Sequence, residues 1–182
     1  MANELQVGLD PGSLCGVAGA APYGSMEAAA SFPRVGLTVG MGFVPGKTNS
    51  SYYYTRIANA VALVTGLTIE LLLSEDVSPG NIDPVNKNAV FGVTIGPVTS
   101  GTSQSSEVTA SPLASCTEVT GTVTMPATAG VLKTLAIAIP IANMNSLAAG
   151  GWALIRIRRL GSNASDKSQN NIVLLGADVR NT

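Results

Sequence analysis

The stretch that decides the fold is GGWALIRIRRLGSNASDKSQNNIVLLGADVR, residues 150–180. Three of the chain's six arginines, Arg156, Arg158 and Arg159, fall within four positions of an otherwise apolar run. Written as a strand, WALIRIRR puts Ala153, Ile155, Ile157 and Arg159 on one face, and Trp152, Leu154, Arg156 and Arg158 on the other. IVLLGADVR divides likewise, with Val173, Leu175, Ala177 and Val179 against Ile172, Leu174, Gly176, Asp178 and Arg180. The polar run LGSNASDKSQNN between them predicts a long hairpin. Two registers are open. If Ile157 pairs with Leu175, Asp178 lies diagonal to Arg156, and a cross-strand ion pair there contributes about 0.2–1 kcal/mol. If Ile157 pairs with Val173, Asp178 faces Trp152 and the ion pair is lost. In either register Arg158 and Arg159 lie near the loop, where Asp166 can meet one of them. The cluster therefore reads as charges on a sheet face and its rim, with the loop beside Arg159 turned to solvent.

Outward from this segment the same period of two recurs. In TEVTGTVTMP, Val119, Gly121, Val123 and Met125 alternate with Glu118, Thr120, Thr122 and Thr124, a half-buried strand. In TGLTIELLLSED, Leu67, Ile69, Leu71 and Leu73 oppose Thr68, Glu70, Leu72 and Ser74. AVFGVTIGPV and GVLKTLAIAIPI supply further apolar segments, separated by SPGNIDPVNKN and by a Ser/Thr-rich run over 99–116. That run is a long loop or holds an edge strand around Glu107–Thr109. VGLTVGMGFVPG places Val35, Leu37, Val39 and Met41 on one face. SSYYYTRIANAVALVTG reads as a strand entering a longer β segment, although IANAVALV tolerates a helix. About eight short strands with turn signals between them and little helix predict an all-β fold, an antiparallel β-sandwich or jelly roll, over 35–182. Residues 1–34 are rich in Gly, Ala, Ser and Pro and predict an extended N-terminal arm. Within it, SMEAAASF allows a short helix capped by Ser25 and ended by Pro33.

Composition narrows the chemistry. With 182 residues the chain can build a core without metal or disulfide. Charged residues make up 12% of it and the formal net charge is −1, about half the usual charged share of roughly 25%. A balance of this kind exerts no long-range pull on nucleic acid or an anionic membrane, and it favours association between copies. There is no histidine, which removes the commonest general base and metal ligand. No GxSxG, SxxK or HExxH pattern is present, and no phosphate-binding glycine loop. Glu75, Asp76 and Asp83 form an acidic loop without EF-hand spacing. The expectation is a non-enzyme with no catalytic, cofactor-binding or metal-binding residues and no cofactor. The N-terminus has no basic n-region and no apolar span long enough for a membrane, so the expected class is soluble and non-secreted.

Several residues invite a sharper reading. Tyr52, Tyr53 and Tyr54 suggest a stacking platform, but a strand sends Tyr53 to the opposite face from the other two, which favours packing. Cys15 and Cys116 are read as small buried thiols, with a disulfide as the alternative. The sequons at Asn49 and Asn163 mark exposed polar loops.

TVTMPATAG, IANMNSLAAGGWALIRIRRLGSNASDKSQNNIVLLGADVR and the strand–loop–strand unit LTIELLLSEDVSPGNIDPVNKNAVFGVTI together resemble β-sandwich virion proteins of tailed bacteriophages. The resemblance covers about residues 67–180 and carries no catalytic residue. It implies a capsid decoration (cement) protein, a jelly-roll knob that is a homotrimer. The partners it implies are the major capsid protein and other copies of the chain, with no nucleic acid and no membrane. It places the protein on the capsid surface of the virion, after assembly in the host cytoplasm, with the arm laid over neighbouring capsid proteins. The alternative within the same resemblance is a tail-fibre or baseplate module that binds a receptor or carbohydrate.

Overall fold

The computed structural model of the chain describes residues 7–9, 34–35, 38–39, 41–57, 65–75, 87–98, 113–128 and 130–181. Eleven strands run through them: β1 (Val7–Leu9), β2 (Arg34–Val35), β3 (Thr38–Val39), β4 (Met41–Phe43), β5 (Thr48–Arg56), β6 (Gly66–Glu75), β7 (Lys87–Val98), β8 (Val119–Met125), β9 (Lys133–Pro140), β10 (Trp152–Leu160) and β11 (Ile172–Asn181). One sheet has the order β1-β11-β6-β9, with β4 also on β11; the other has the order β5-β10-β7-β8; β2 and β3 form a separate ribbon. All pairings are antiparallel.

Counting β4 to β11 as one to eight, the sheets read 1-8-3-6 and 2-7-4-5. That is the strand order of a jelly roll, two Greek keys wound together. The expected all-β sandwich of eight strands is therefore the fold. Of the expected N-terminal arm, the described residues are β1 and Arg34. β1 lies antiparallel on β11, Val7 opposite Val179 and Leu9 opposite Ala177. The Ser25-capped helix lies outside the described residues, as do Glu107–Thr109 and most of IANAVALV.

Period-two alternation builds the core. Leu67, Ile69, Leu71 and Leu73 of β6, Ala89, Phe91, Val93 and Ile95 of β7, and Leu135, Ile137 and Ile139 of β9 meet Ala153, Ile155 and Ile157 of β10 between the sheets. Phe43 and Phe91 pack edge to face, with ring centroids 5.6 Å apart. Burying each such aliphatic side chain contributes roughly 1.5–3 kcal/mol. Gly121 on β8 is the small residue this packing requires: a Cβ there would stand 2.8 Å from Ile137 Cγ1. One end of the sandwich is plugged by residues 141–151, a 3-10 turn (Ile141–Asn143) followed by two left-handed residues, Asn145 and Ser146. Met144 and Leu147 drop from this loop into the core.

Three sequence expectations are corrected. First, β10 and β11 are not a hairpin: β10 pairs with β5 and β7, and β11 with β6, β4 and β1. The connection 161–171 crosses from one sheet to the other, a gap of roughly 10 Å that it spans easily. Neither proposed register exists, and Asp178 lies opposite Glu70 rather than near Arg156. Second, a β-bulge between Leu174 and Gly176 inserts Leu175 as an extra residue and shifts the phase of β11. Ile172 and Leu174 face the core before it, Ala177 and Val179 after it. Third, VGLTVGMGF is not one strand: β2 and β3 fold on each other, Arg34 opposite Val39, and only β4 joins the sandwich.

Candidate functional site

The arginine strand separates its charges by the parity of β10. Arg159 follows Ile155 and Ile157 inward, and its side chain is fully buried at the end of the sandwich. Its Nε donates to Asp166 Oδ2 at 3.0 Å and its Nη2 to Asp166 Oδ1 at 2.8 Å. Nη1 donates to the carbonyls of Asn170 (2.7 Å) and Phe43 (3.4 Å), and Nη2 also to that of Ser168. A planar guanidinium with five fixed donors suits such a cage, where a lysine would not. Asp166 in turn accepts the Val90 amide at 3.0 Å. Asn170 Nδ2 and Ser168 Oγ donate to the buried Glu75 carboxylate at 3.0 and 3.5 Å. The amides of Lys167 and Ser168 reach the Asn88 carbonyl. These contacts latch the 161–171 connection onto β6, β7 and β10. The predicted meeting of an arginine with Asp166 occurs, but in the interior and not in a solvent-facing loop. Ser168 and Asn170 are buried, whereas Ser162 to Ser165 are exposed.

Arg156 and Arg158 take the opposite parity and lie on the outer face of the β5-β10-β7-β8 sheet. Glu118, just before β8, holds both. Arg158 makes two bonds to its carboxylate, Nη2 to Oε2 at 2.6 Å among them, and Arg156 Nη2 stands 3.5 Å from Oε1. Arg156 also donates to Thr94 Oγ1 at 3.0 Å. Gly92 on β7 makes room: a Cβ there would lie 2.5 Å from Glu118 Oε1, so the carboxylate lies flat across the glycine. The partner of Arg156 is thus Glu118 and Thr94, and the expected Arg156–Asp178 pair is absent. Sequence reasoning missed Glu118. Its signal was its place on the polar face of TEVTGTVT, opposite the core residues.

The same outer face presents Tyr52 and Tyr54, half-buried, with Tyr53 turned into the core. The expectation that the three rings cannot share a platform holds. Cross-strand, Tyr52 pairs with Arg156, Tyr54 with Leu154 and Arg56 with Trp152. Trp152 is 54% exposed. Arg56 is exposed, and its Nε donates to the Gly150 carbonyl at 3.1 Å. Among the described residues this face carries Arg56, Arg156 and Arg158 against Glu118 alone. The outer face of the other sheet carries Glu70 and Asp178 against Arg180, whose Nη1 meets Glu70 Oε2 at 2.9 Å.

The remaining singled-out residues divide. Asn49 is buried in β5, its Oδ1 accepting the Val44 amide at 3.0 Å, which corrects its reading as an exposed loop site. Asn163 lies exposed in its loop, as expected, and its Oδ1 accepts the Ser165 amide at 2.8 Å. Cys116 is half-buried; burial pushes its thiol above the ordinary range, and the nearby Arg156 charge pulls it partway back. Cys15, Asp76 and Asp83 lie outside the described residues. Among the described residues no group of three or more His, Cys, Asp or Glu side chains is placed to hold a metal ion. No helix there is long and apolar enough to cross a membrane.

No family model matches the chain, and no curated protein matches it in sequence. Among solved structures, an arabinose-bound α-L-arabinofuranosidase aligns with a TM-score of 0.42 and 5% identity. The alignment covers 99% of this chain and 22% of the enzyme's, so the chain spans about a fifth of that protein's length.

Proposed function

We propose that the chain is a structural protein of a virus particle, a decoration protein that reinforces the capsid shell of a tailed bacteriophage. The observation that carries this reading is its surface. Val131, Leu132, Ile141 and Trp152 are large apolar residues left exposed on a chain with 12% charged residues. Such surface is stabilised when covered by protein, and Trp, Tyr and Arg are the side chains enriched at protein interfaces. Val131 and Leu132 sit on the β8–β9 turn at one end of the sandwich, while Ile141 and Trp152 flank the opposite end. Two separate contact regions suit a knob that meets both the shell and its own neighbours. The jelly-roll topology and the resemblance of residues 67–180 to virion β-sandwiches agree with it. The partners are then the major capsid protein and further copies of the chain, and the protein resides on the capsid surface.

The test is to add the purified chain to heads stripped of it. Saturable binding that raises the temperature at which heads burst is the expected result; no binding, or no gain in burst temperature, overturns the reading. A receptor- or carbohydrate-binding tail module remains the second reading, favoured by Tyr52, Tyr54 and Trp152 on one sheet face. Specific retention on a glycan array, without head binding, would select it.

A further inference from the structure

The two outer faces carry complementary features toward the same end of the sandwich. On one, the exposed Trp152 stands directly across from Arg56, whose guanidinium has no carboxylate partner among the described residues. On the other, Asp178 is exposed and has no cation partner among them, because Arg180 is engaged by Glu70. Two positions along β11 from Asp178 stands Gly176. A Cβ added there would meet nothing within 4 Å among the described residues beyond its chain neighbours. Its cross-strand neighbour Leu72 is half-buried on the same face. One face thus offers an apolar knob beside a cation, and the other a glycine under open space and a leucine beside an anion.

Their placement limits how copies can meet. β5, which carries Arg56, is an edge strand of its sheet, and β11 lies one strand in from the matching edge, behind β1 and β4. β1 and β5 touch, so both patches flank one edge of the sandwich. The patches are on opposite faces, so a single twofold contact cannot pair them. Copies rotated about an axis parallel to the strands, with that edge inward, bring the Trp152–Arg56 face of one against the Gly176–Asp178 face of the next. A head-to-tail contact of this kind forms a ring when the rotation between copies closes and a filament when it does not.

The geometry points to a second copy of this chain as the occupant: Trp152 and Arg56 of one copy pack on Gly176, Leu72 and Asp178 of the next, in a closed ring of three or more. This rests on the structural reading above and names the surface by which copies assemble. Charge complementarity across the contact fixes its register and rejects the reverse pairing.

The test is native mass spectrometry and sedimentation of the full chain at micromolar concentration. The wild-type chain is expected to form a ring. Arg56→Glu and Asp178→Arg should each weaken assembly by roughly tenfold or more, and the double reversal should restore it. Gly176→Phe, which fills open space without touching the core, should block assembly while leaving the melting temperature within a few degrees of wild type. Single reversals that leave the ring intact, a double reversal that fails to restore it, or normal assembly of Gly176→Phe would each overturn the contact. A monomeric wild-type chain that still binds heads overturns the ring and leaves the decoration reading standing. An assembled chain that ignores heads does the reverse.

Discussion

Replacing Arg159 by methionine should cost about 3–5 kcal/mol of folding stability, the range for breaking a buried ion pair from one side. The magnitude follows from what is stranded. The substitution keeps much of the apolar stem but removes five donors, leaving Asp166 with the Val90 amide and freeing the carbonyls of Asn170, Ser168 and Phe43 in the interior. Each buried acceptor left unmade costs on the order of 1–3 kcal/mol, and partial entry of water returns some of it. Against a typical total of roughly 5–15 kcal/mol, that is a large share. Urea unfolding followed by circular dichroism measures it as a fall in midpoint at constant slope. Trp152 fluorescence is the wrong probe, since the indole is already exposed in the fold. The partner substitution Asp166→Leu should be severe alone yet much milder when combined with Arg159→Met, because an apolar pair can replace a buried ion pair at little cost. A loss below about 1 kcal/mol for Arg159→Met, the range of an exposed pair, would refute the claim that the latch holds the crossover in place.

Other outcomes follow from the same geometry. Arg180→Ala breaks the partly exposed pair with Glu70 and should cost less than about 1 kcal/mol, an effect that shrinks further in high salt. Gly121→Val should destabilise by roughly 1–3 kcal/mol through its clash with Ile137, measured as a lower urea midpoint. The Cys116 thiol, raised chiefly by burial, should be alkylated more slowly than a free cysteine at pH 8 and speed up as pH rises further. Arg156→Ala removes the charge that lowers it and should slow that reaction again; an unchanged rate would count against the assigned cause. Val131→Asp with Leu132→Asp, both at exposed positions, should leave the fold intact and reduce binding to heads.

Much of the fold was legible because buried strands with one polar face carry a period of two. β6, β8 and β10 show the inward residues that their sequences assign them, and the eight-strand count led to the sandwich. What the period cannot convey is which strand a strand pairs with. WALIRIRR and IVLLGADVR look the same whether they are neighbours in one sheet or face each other across the core, so the hairpin reading failed at the crossover. Nor does the period survive an inserted residue, and one extra leucine at position 175 reverses the faces of the second half of β11. The buried arginine did leave a signal. Arg159 is in phase with Ile155 and Ile157, and a charge in phase with a core face must be paired inside or sit beyond the core's edge. Of the five acceptors that settle it, the two Asp166 oxygens lie in the loop the sequence pointed to, whereas the other three are backbone carbonyls of Phe43, Ser168 and Asn170, which no side-chain pattern marks. Glu118 was visible as a polar residue, but its two arginines lie across β7 in the sheet.

Copy number tests the structural account most directly. Quantitative mass spectrometry of purified particles should find this chain in hundreds of copies, in fixed proportion to the major capsid protein, and absent from detached tails. A handful of copies that follow the tail, or no copies in the particle at all, would contradict it.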